Sequence, residues 1–313
     1  QLAMMNGKDS LAVFTNVVSP WNLTSKVFKQ IFSLQSVDEK GDWSKYVLFP
    51  AVFKKAGYHV SFLSNQFPYG INYTPDWTNN LVGGFFLNHP QLNKQMFDYR
   101  NVMIHNYDEN LLNDYKNIIS YKKPQLIIFH LLGQHFQYSL RCKSNMKKFG
   151  IKDYKRMDLT DKEKQTIADY DNATLYNDFV LNKIVEQFRN KDAIIVYLSD
   201  HGEDCYGKDV NMAGRLTEVE QINLRKYHEE FEIPFWIWCS PIYKQRHRKI
   251  FTETLMARSN KFMTDDLPHL LLYLAGIKVK DYFEERNVIS PSFNSNRRRL
   301  VLKTIDYDKA LYQ

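Results

Sequence analysis

The sequence predicts an α/β fold in which helices flank a mainly parallel central sheet. Short apolar runs, such as AIIVYL at 193–198, alternate with longer segments of helical periodicity, such as 161–189. A strand that is buried on both faces has this kind of continuous apolar run, which is too short for a helix. Alternation of the two kinds of segment indicates a layered sheet covered by helices.

Helix and strand signals follow one another consistently along the chain. Residues 22–34 carry apolar side chains near helical spacing, with Asn22 or Thr24 as the predicted N-cap. Gly57 ends a second predicted helix, as glycine commonly does. The predicted elements are strands over 11–18, 58–65 and 193–198 and within 124–135 and 231–240, and helices over 22–34, 48–56, 161–189 and 264–275 and within 102–119.

Size and composition limit what the protein can be. The chain has 313 residues, enough for one large α/β domain or two small ones, and we predict a single domain over 1–313. Its net charge of +7 favours an anionic partner, such as phospholipid headgroups, another phosphate-rich substrate or nucleic acid, unless it reflects only a basic surface. Its three cysteines define no disulfide framework, and no apolar run is long enough to span a membrane.

The segment SDHGED at 199–204 directly follows the apolar run that ends at Leu198. In open α/β sheets ligands bind beyond the carboxyl ends of the strands, so Asp200 and His201 lie where chemistry is expected. A carboxylate beside a neutral imidazole suits Zn²⁺ or Mn²⁺, and Gly202 permits a close turn of the backbone. The alternative is a solvated acidic turn, because D-H-G is a short motif.

Candidate polar groups also follow other predicted strands. Asn65 ends the strand over 58–65, His130 and His135 close the strand within 124–135, and Thr24 begins a helix. A hydroxyl nucleophile at a helix N-terminus benefits from the free N–H groups there, and a bound metal ion lowers its pKa. The plainer interpretations are that Thr24 is only an N-cap and that His130 is a hydrogen-bonded core histidine.

Seven segments between about residues 11 and 240 add a further signal. In order they are NLTSKVFKQIFS, FKKAGYHVSFLSNQ, YDENLL, HLLGQH, YDNATLYNDFVLNKIV, YLSDHGED and EIPFWIW. Together they resemble the periplasmic catalytic domain of phosphoethanolamine transferases. These enzymes are an alkaline-phosphatase/sulfatase-like group that includes the lipid A modifying enzymes of colistin resistance. The resemblance implies an alkaline phosphatase-like layered fold.

The resemblance also implies roles for matching residues. Thr24 resembles the nucleophile, which becomes a phosphothreonine that carries the phosphoethanolamine group. Asp200 and His201 resemble the residues that bind Zn²⁺, with Mn²⁺ as the alternative metal, and Thr24 completes this ligand set. His135 resembles the histidine that stabilises the transferring phosphoryl group.

Further residues are implied to contact substrate phosphate. Asn65 or Gln66 lies where the family holds this phosphate. Arg215 stands where several relatives carry a histidine, and an arginine does not ligate metal but binds phosphate through paired hydrogen bonds. His228 lies nearby in the sequence as an alternative metal ligand, and Glu203 either orients a ligand or faces solvent.

The family pattern also includes a carboxylate that these residues do not supply. The first metal ligand of the family is a Glu in a Gly-Glu-Ser turn after a strand upstream of the nucleophile, and residues 1–23 contain no Glu. We therefore expect a fragment that lacks this turn, a central strand and N-terminal transmembrane helices. We expect weaker metal binding as a consequence.

The predicted function is transfer of phosphoethanolamine from a phospholipid donor to lipid A or another envelope glycolipid acceptor. We expect a monomer at the periplasmic face of the bacterial inner membrane, in contact with an anionic membrane surface and not with nucleic acid. The alternatives are a phosphoglycerol transferase or phosphodiesterase of the same superfamily, and a non-catalytic anion-binding domain with an incomplete metal site. A sulfatase is disfavoured because no cysteine begins a C-x-P-x-R motif.

Overall fold

The computed structural model describes residues 10–66, 90–118, 123–216 and 222–312. The strands are β1 (Leu11–Phe14), β2 (Val17–Val18), β3 (His59–Ser64), β4 (Tyr99–Arg100), β5 (Gln125–His130), β6 (Ile194–Leu198), β7 (Asp204–Cys205), β8 (Ala213–Gly214), β9 (Phe235–Cys239), β10 (Phe262–Met263), β11 (Leu300–Val301) and β12 (Ile305–Asp306). The helices are α1 (Thr24–Phe32), α2 (Phe49–Lys55), α3 (Pro90–Met96), α4 (Leu111–Ile118), α5 (Asp161–Phe188), α6 (Leu224–Tyr227), α7 (Pro241–Arg246), α8 (Arg248–Met256), α9 (Leu267–Leu274) and α10 (Tyr307–Tyr312).

Two three-stranded sheets form the centre of the fold. In the first, β3 pairs in parallel with β4 on one side and β5 on the other. In the second, β9 lies between β1 and β6 and pairs antiparallel with both. The predicted parallel arrangement therefore holds for the first sheet. The second sheet differs because β9 runs against both of its neighbours.

The side chains of β9 alternate between two hydrophobic cores. Phe235, Ile237 and Cys239 belong to one core, whereas Trp236 and Trp238 belong to the other. Successive side chains of a strand point to opposite faces, so a sheet with two apolar faces must be covered by helices on both sides. This arrangement is the layered α/β architecture that the continuous apolar runs predicted.

A cavity of about 1490 Å³ separates the two sheets. One wall is formed by β5 and the loop after it, and the other by β6 and the turn after it. Within the described ranges no hydrogen-bonded ladder joins β5 to β6. Each of these strands is thus paired on one side only, although its side chains pack towards both cores.

Helix α1 begins at Thr24, and its N-cap differs from both predicted candidates. Its N-cap is Leu23, which makes no side-chain capping bond, and Thr24 is the first helical residue. The assignment of Asn22 or Thr24 as N-cap was therefore wrong. The reason is that the Asn22 amide donates instead to Glu230 and to the Leu216 carbonyl. The Thr24 hydroxyl therefore lies at the N-terminal end of α1, where the partial positive charge of the helix is concentrated.

The other long elements agree with the predicted ones. Helix α5 begins at a capping box in which Thr160 and Glu163 satisfy each other's backbone N–H groups. Gly57 follows α2 with a φ of 91°, a conformation that glycine adopts without strain. The strand predicted over 11–18 is divided into β1 and β2. All three cysteines are unpaired, and among the described helices none is both long and apolar enough to cross a bilayer.

A buried carboxyl pair anchors the turn after β6. Glu230 is fully buried and accepts hydrogen bonds from Asn22 and from the Leu216 backbone N–H. Asp204 is also fully buried, and burial together with the charge of Glu230 raises its pKa to about 7. Two adjacent carboxylates in a dry site repel each other, so one of them keeps a proton near neutral pH.

We predict that this pair makes the protein less stable as the pH rises. The folded-state pKa of Asp204 lies above its unfolded value of 3.8, so its contribution is complete below that value and is lost as the pH rises through about 7. Tm measured from pH 5 to 8 should fall more for the wild type than for Asp204→Asn. The exposed carboxylate of Asp158 serves as the control, and Asp158→Asn should follow the wild type. Parallel curves for wild type and Asp204→Asn would contradict the assignment.

Candidate metal and phosphoryl site

Three potential metal ligands meet at one end of the cavity between the sheets. The Thr24 hydroxyl lies 3.3 Å from His201 Nε2, and Asp200 Oδ2 lies 3.4 Å from the same nitrogen. Thr24 arrives from the N-terminus of α1, whereas Asp200 and His201 follow β6 directly. The structure therefore brings together the three residues that the sequence assigned to the metal.

The tautomer of His201 is fixed by its other ring nitrogen. Nδ1 lies 2.8 Å from the Gly202 carbonyl oxygen, and since a carbonyl only accepts, Nδ1 carries the proton. Burial lowers the pKa of His201, which favours the neutral ring. The Nε2 lone pair therefore faces Thr24 and Asp200, as a metal-binding imidazole requires.

The separations between these atoms fit a tetrahedral ion. Ligand bonds of about 2.0–2.1 Å place neighbouring ligand atoms about 3.3 Å apart, and both measured separations are close to this value. Asp200 Oδ2 is buried and accepts no hydrogen bond from the described residues, a condition that costs more than about 1–3 kcal/mol for a charged atom. A cation at this point would supply Asp200 Oδ2 with a partner.

The protein ligands alone do not make a full set. In the described ranges no group of three or more His, Cys, Asp or Glu side chains converges as a metal cluster. Asp200 and His201 supply two such side chains, and the Thr24 hydroxyl is the third oxygen or nitrogen donor. Structural zinc sites are normally four-coordinate, so one position is left to substrate, water or another protein group.

Gly202 holds the metal-ligand turn in place. Its N–H donates to the Glu230 carbonyl over 2.9 Å. A Cβ atom at this position would come within 1.8 Å of the Glu229 carbonyl oxygen, which is backbone and cannot move aside easily. Glycine is required here because the turn packs directly against the loop that precedes β9.

The local charges keep Asp200 ionised. Burial alone would raise the pKa of Asp200, but His201, the Thr24 hydroxyl and the charge of Arg215 together hold it below its usual range. An ionised carboxylate and a neutral imidazole are the protonation states in which both side chains bind metal. The site therefore carries negative charge where a divalent cation would be bound.

Arg215 and His135 face the same cavity from two loops. Arg215 lies after β8 and its Nη1 is 3.6 Å from Glu203 Oε1, while its buried Nε donates to no described residue. Glu203 thus contacts this arginine and does not face open solvent, and burial raises its pKa to about 7. Burial and the nearby charges of Arg215 and Arg141 lower the pKa of His135. Both side chains therefore line the same cavity as Thr24.

The two residues at the end of β3 have different positions. Gln66 lines the cavity and its amide nitrogen donates to the Leu131 carbonyl. The Asn65 side chain is 2% exposed, donates to Asp108 and accepts from the His105 N–H, so both of its polar atoms are occupied. Asn65 therefore orders neighbouring loops, and its side chain is engaged within the protein instead of facing the cavity.

The remaining histidines are used elsewhere. His130 is hydrogen-bonded to Ser64 and packs against the ring of Phe28, which matches the core-histidine interpretation. His228 lies 3.2 Å from Glu232 and does not line the cavity. The ring of His130 is thus held by Ser64 and Phe28, and His228 lies outside the cavity that contains Thr24, Asp200 and His201.

One organising residue was not identified from the sequence. Asp108 accepts hydrogen bonds from Asn65 and from the N–H groups of Leu132 and Gly133, and so ties the loops after β3, β4 and β5 together. It lies in the YDENLL segment, whose sequence alone indicates no role for the carboxylate. Only the tertiary structure shows that three loops share it.

Comparison with known proteins identifies the fold. The zinc complex of the C-terminal periplasmic domain of EptC from Escherichia coli superposes with a TM-score of 0.81 and 26% identity, covering 98% of this chain and 84% of that domain. The α/β, alkaline phosphatase-like fold that the sequence predicted is therefore confirmed.

Sequence relatives agree with this comparison. Phosphoethanolamine transferase EptC of Escherichia coli K12 is 29% identical over 97% of this chain, and the match spans 52% of that protein, about half its length. Kdo(2)-lipid A phosphoethanolamine 7''-transferase of the same organism is 30% identical over 38% of this chain and 20% of that protein. The sulfatase family model matches residues 1–277. This match covers most of the chain, and the chain belongs to the sulfatase family.

Proposed function

We propose that this chain is the catalytic part of a phosphoethanolamine transferase that works through a covalent Thr24 intermediate. The observation that carries the proposal is that Thr24 Oγ1 lies 3.3 Å, and Asp200 Oδ2 lies 3.4 Å, from His201 Nε2. The similarity to EptC over nearly the whole chain supports the same activity. The donor is a phospholipid such as phosphatidylethanolamine, and the acceptor is a glycolipid of the lipid A type.

Thr24, Asp200 and His201 would hold Zn²⁺. Their donor atoms, spacing and protonation states fit this ion, and the EptC domain of similar fold was crystallised with zinc. When bound, Zn²⁺ lowers the pKa of a coordinated hydroxyl and offsets charge on a phosphoryl group. Zinc is the ion that we propose, and nothing favours Mn²⁺.

The chain's own residues can carry two successive displacements. First, Thr24 Oγ1 forms a bond to the donor phosphorus, the bond from phosphorus to the diacylglycerol oxygen breaks, and the hydroxyl proton ends on that oxygen. Next, an acceptor oxygen attacks the phosphorus, the bond to Oγ1 breaks, and Oγ1 regains a proton. Arg215 and His135 lie on the same cavity and would bind the phosphoryl oxygens through both steps.

We also propose that the complete domain contains one more strand, between β5 and β6. Among the described strands, β5 pairs only with β3 and β6 only with β9, and residues of both strands line the cavity. The N–H and C=O groups on the other edge of each strand have no ladder partner in the described part of the chain, and a further strand would supply one. Its end near Thr24 is where a fourth metal ligand would stand, as the resemblance implies. Half of the length of EptC lies outside the match.

The working environment is proposed on the same basis. We propose a domain on the periplasmic face of the inner membrane, held there by transmembrane helices of the full-length protein. The similar EptC domain is described as periplasmic. A monomer with a net charge of +7 would be attracted to an anionic membrane surface.

We predict that phosphatidylethanolamine with Zn²⁺ gives the full-length protein a phosphoethanolamine adduct on Thr24. The adduct should be absent in Thr24→Ala, because a metal-assisted hydroxyl is the nucleophile. Intact-protein mass spectrometry with peptide mapping measures this. The matched control is Ser25→Ala, which should label like the wild type. An adduct on Ser25, or labelling of Thr24→Ala, would show that the nucleophile is misassigned.

A second prediction concerns the strand between β5 and β6. In this chain the backbone amides of β5 and β6 that face the cavity should exchange with solvent deuterium much faster than in full-length protein, since a strand partner protects them. The amides of β3, which is paired on both sides, should be equally protected in both proteins. Hydrogen exchange resolved by residue tests this. Equal exchange at β5 and β6 in the two proteins would show that no strand occupies the cavity.

A further inference from the structure

Large apolar side chains are concentrated on two loops beside the site. Nine such side chains are exposed in the described part of the chain, and five of them lie in the loops after β4 and β5. We call these five the apolar rim: Val102, Met103, Ile104, Phe136 and Leu140. Soluble proteins rarely gather exposed apolar side chains in this way unless the surface binds something.

Hydrogen bonds and an ion pair connect the two loops of the rim. Asp108, at the end of the first loop, accepts hydrogen bonds from the Leu132 and Gly133 N–H groups of the second loop. Lys143 forms an ion pair with Glu109 and reinforces the same connection. The loops are therefore held by buried and charged contacts, and the apolar side chains project outward from a fixed frame.

One side chain of the rim, Phe136, adjoins the cavity that contains the site. His135 lines the cavity, and Phe136, which is 62% exposed, is the next residue. Arg141 donates to the carbonyl oxygens of both His135 and Phe136, which fixes the position of this part of the rim. A surface in contact with Phe136 would consequently lie beside His135, which we propose binds the phosphoryl group.

The charges around the rim favour an anionic partner. Arg141 donates only to carbonyl oxygens, and no carboxylate of the described residues lies within ion-pair distance of it. Asp108 acts on Arg141 through its charge and accepts hydrogen bonds from three neutral donors, whereas Glu109 binds Lys143 and Tyr176. The rim thus combines exposed apolar groups with the guanidinium of Arg141, which forms no close ion pair with a described carboxylate.

We propose, resting on the proposed function, that the apolar rim inserts into the surface of a lipid bilayer. Apolar side chains next to arginine match the boundary between acyl chains and phosphate headgroups, where hydrocarbon is buried and the cation stays with phosphate. The rim would hold the cavity mouth at headgroup depth, so that a phospholipid phosphate reaches Thr24 without leaving the membrane. The occupant of the rim is the bilayer itself.

The test is sedimentation of this chain with vesicles of phosphatidylethanolamine and phosphatidylglycerol. The double variant Met103→Ser, Phe136→Ser should bind at least about tenfold more weakly, because two large apolar contacts are lost. The matched control is Met256→Ser, Phe283→Ser, which removes two exposed side chains of the same types away from the rim and should bind like the wild type. Equal binding by all three proteins would overturn the proposal, as would equal losses in both variants.

A fluorescence measurement guards against a folding artefact. Emission of Phe136→Trp should shift to the blue on addition of the same vesicles, and emission of Phe283→Trp should not. A shift in neither or in both would count against insertion at the rim. All variants should keep the wild-type Tm, since the replaced side chains are exposed.

The choice of lipid donor separates this proposal from the proposed function. In the full-length protein, the rim double variant should form the Thr24 adduct slowly from vesicles but normally from a dispersed short-chain phosphatidylethanolamine. An adduct that forms equally from vesicles in wild type and variant overturns the rim alone. Absence of an adduct from either donor in the wild type overturns the transferase, and the vesicle-binding result then still decides whether the rim binds lipid.

Discussion

The hydrogen bond from His201 Nδ1 to the Gly202 carbonyl is the contact on which the site depends. It places the ring proton away from the cavity and directs the Nε2 lone pair at Thr24 and Asp200. The backbone can make this bond because Gly202 packs against the carbonyls of the loop before β9, where any side chain would collide. The identity of one glycine therefore determines the protonation pattern of the candidate metal site.

The arrangement of the sheets determines where this site is. β5 and β6 end at the same mouth of the cavity, so that the loop with His135 and the turn with Asp200 approach each other although no ladder joins the two strands in the described part of the chain. The same absence of pairing exposes two strand edges. The gap between β5 and β6 therefore both forms the site and suggests a further strand.

Much of this could be predicted from the sequence. The strand before Asp200 and the long helix α5 followed from apolar periodicity, because both patterns depend only on nearby residues. The N-cap of α1 could not be predicted in this way, since the Asn22 side chain donates to Glu230, which is distant in the sequence. For the same reason, the hydrogen bonds of Asn65 and the three-donor role of Asp108 appear only in the fold. The direction of β9 was also not predictable, because an apolar run does not encode its orientation.

The most direct test of the proposed metal site is the position of bound zinc. Anomalous X-ray scattering at the zinc edge, from crystals of the protein grown with Zn²⁺, would locate the ion. We expect one peak bounded by Thr24 Oγ1, Asp200 Oδ2 and His201 Nε2, at about 2.0–2.2 Å from each. A peak at other residues, such as His228 and Glu232, with none beside Thr24, would contradict the assignment of the site.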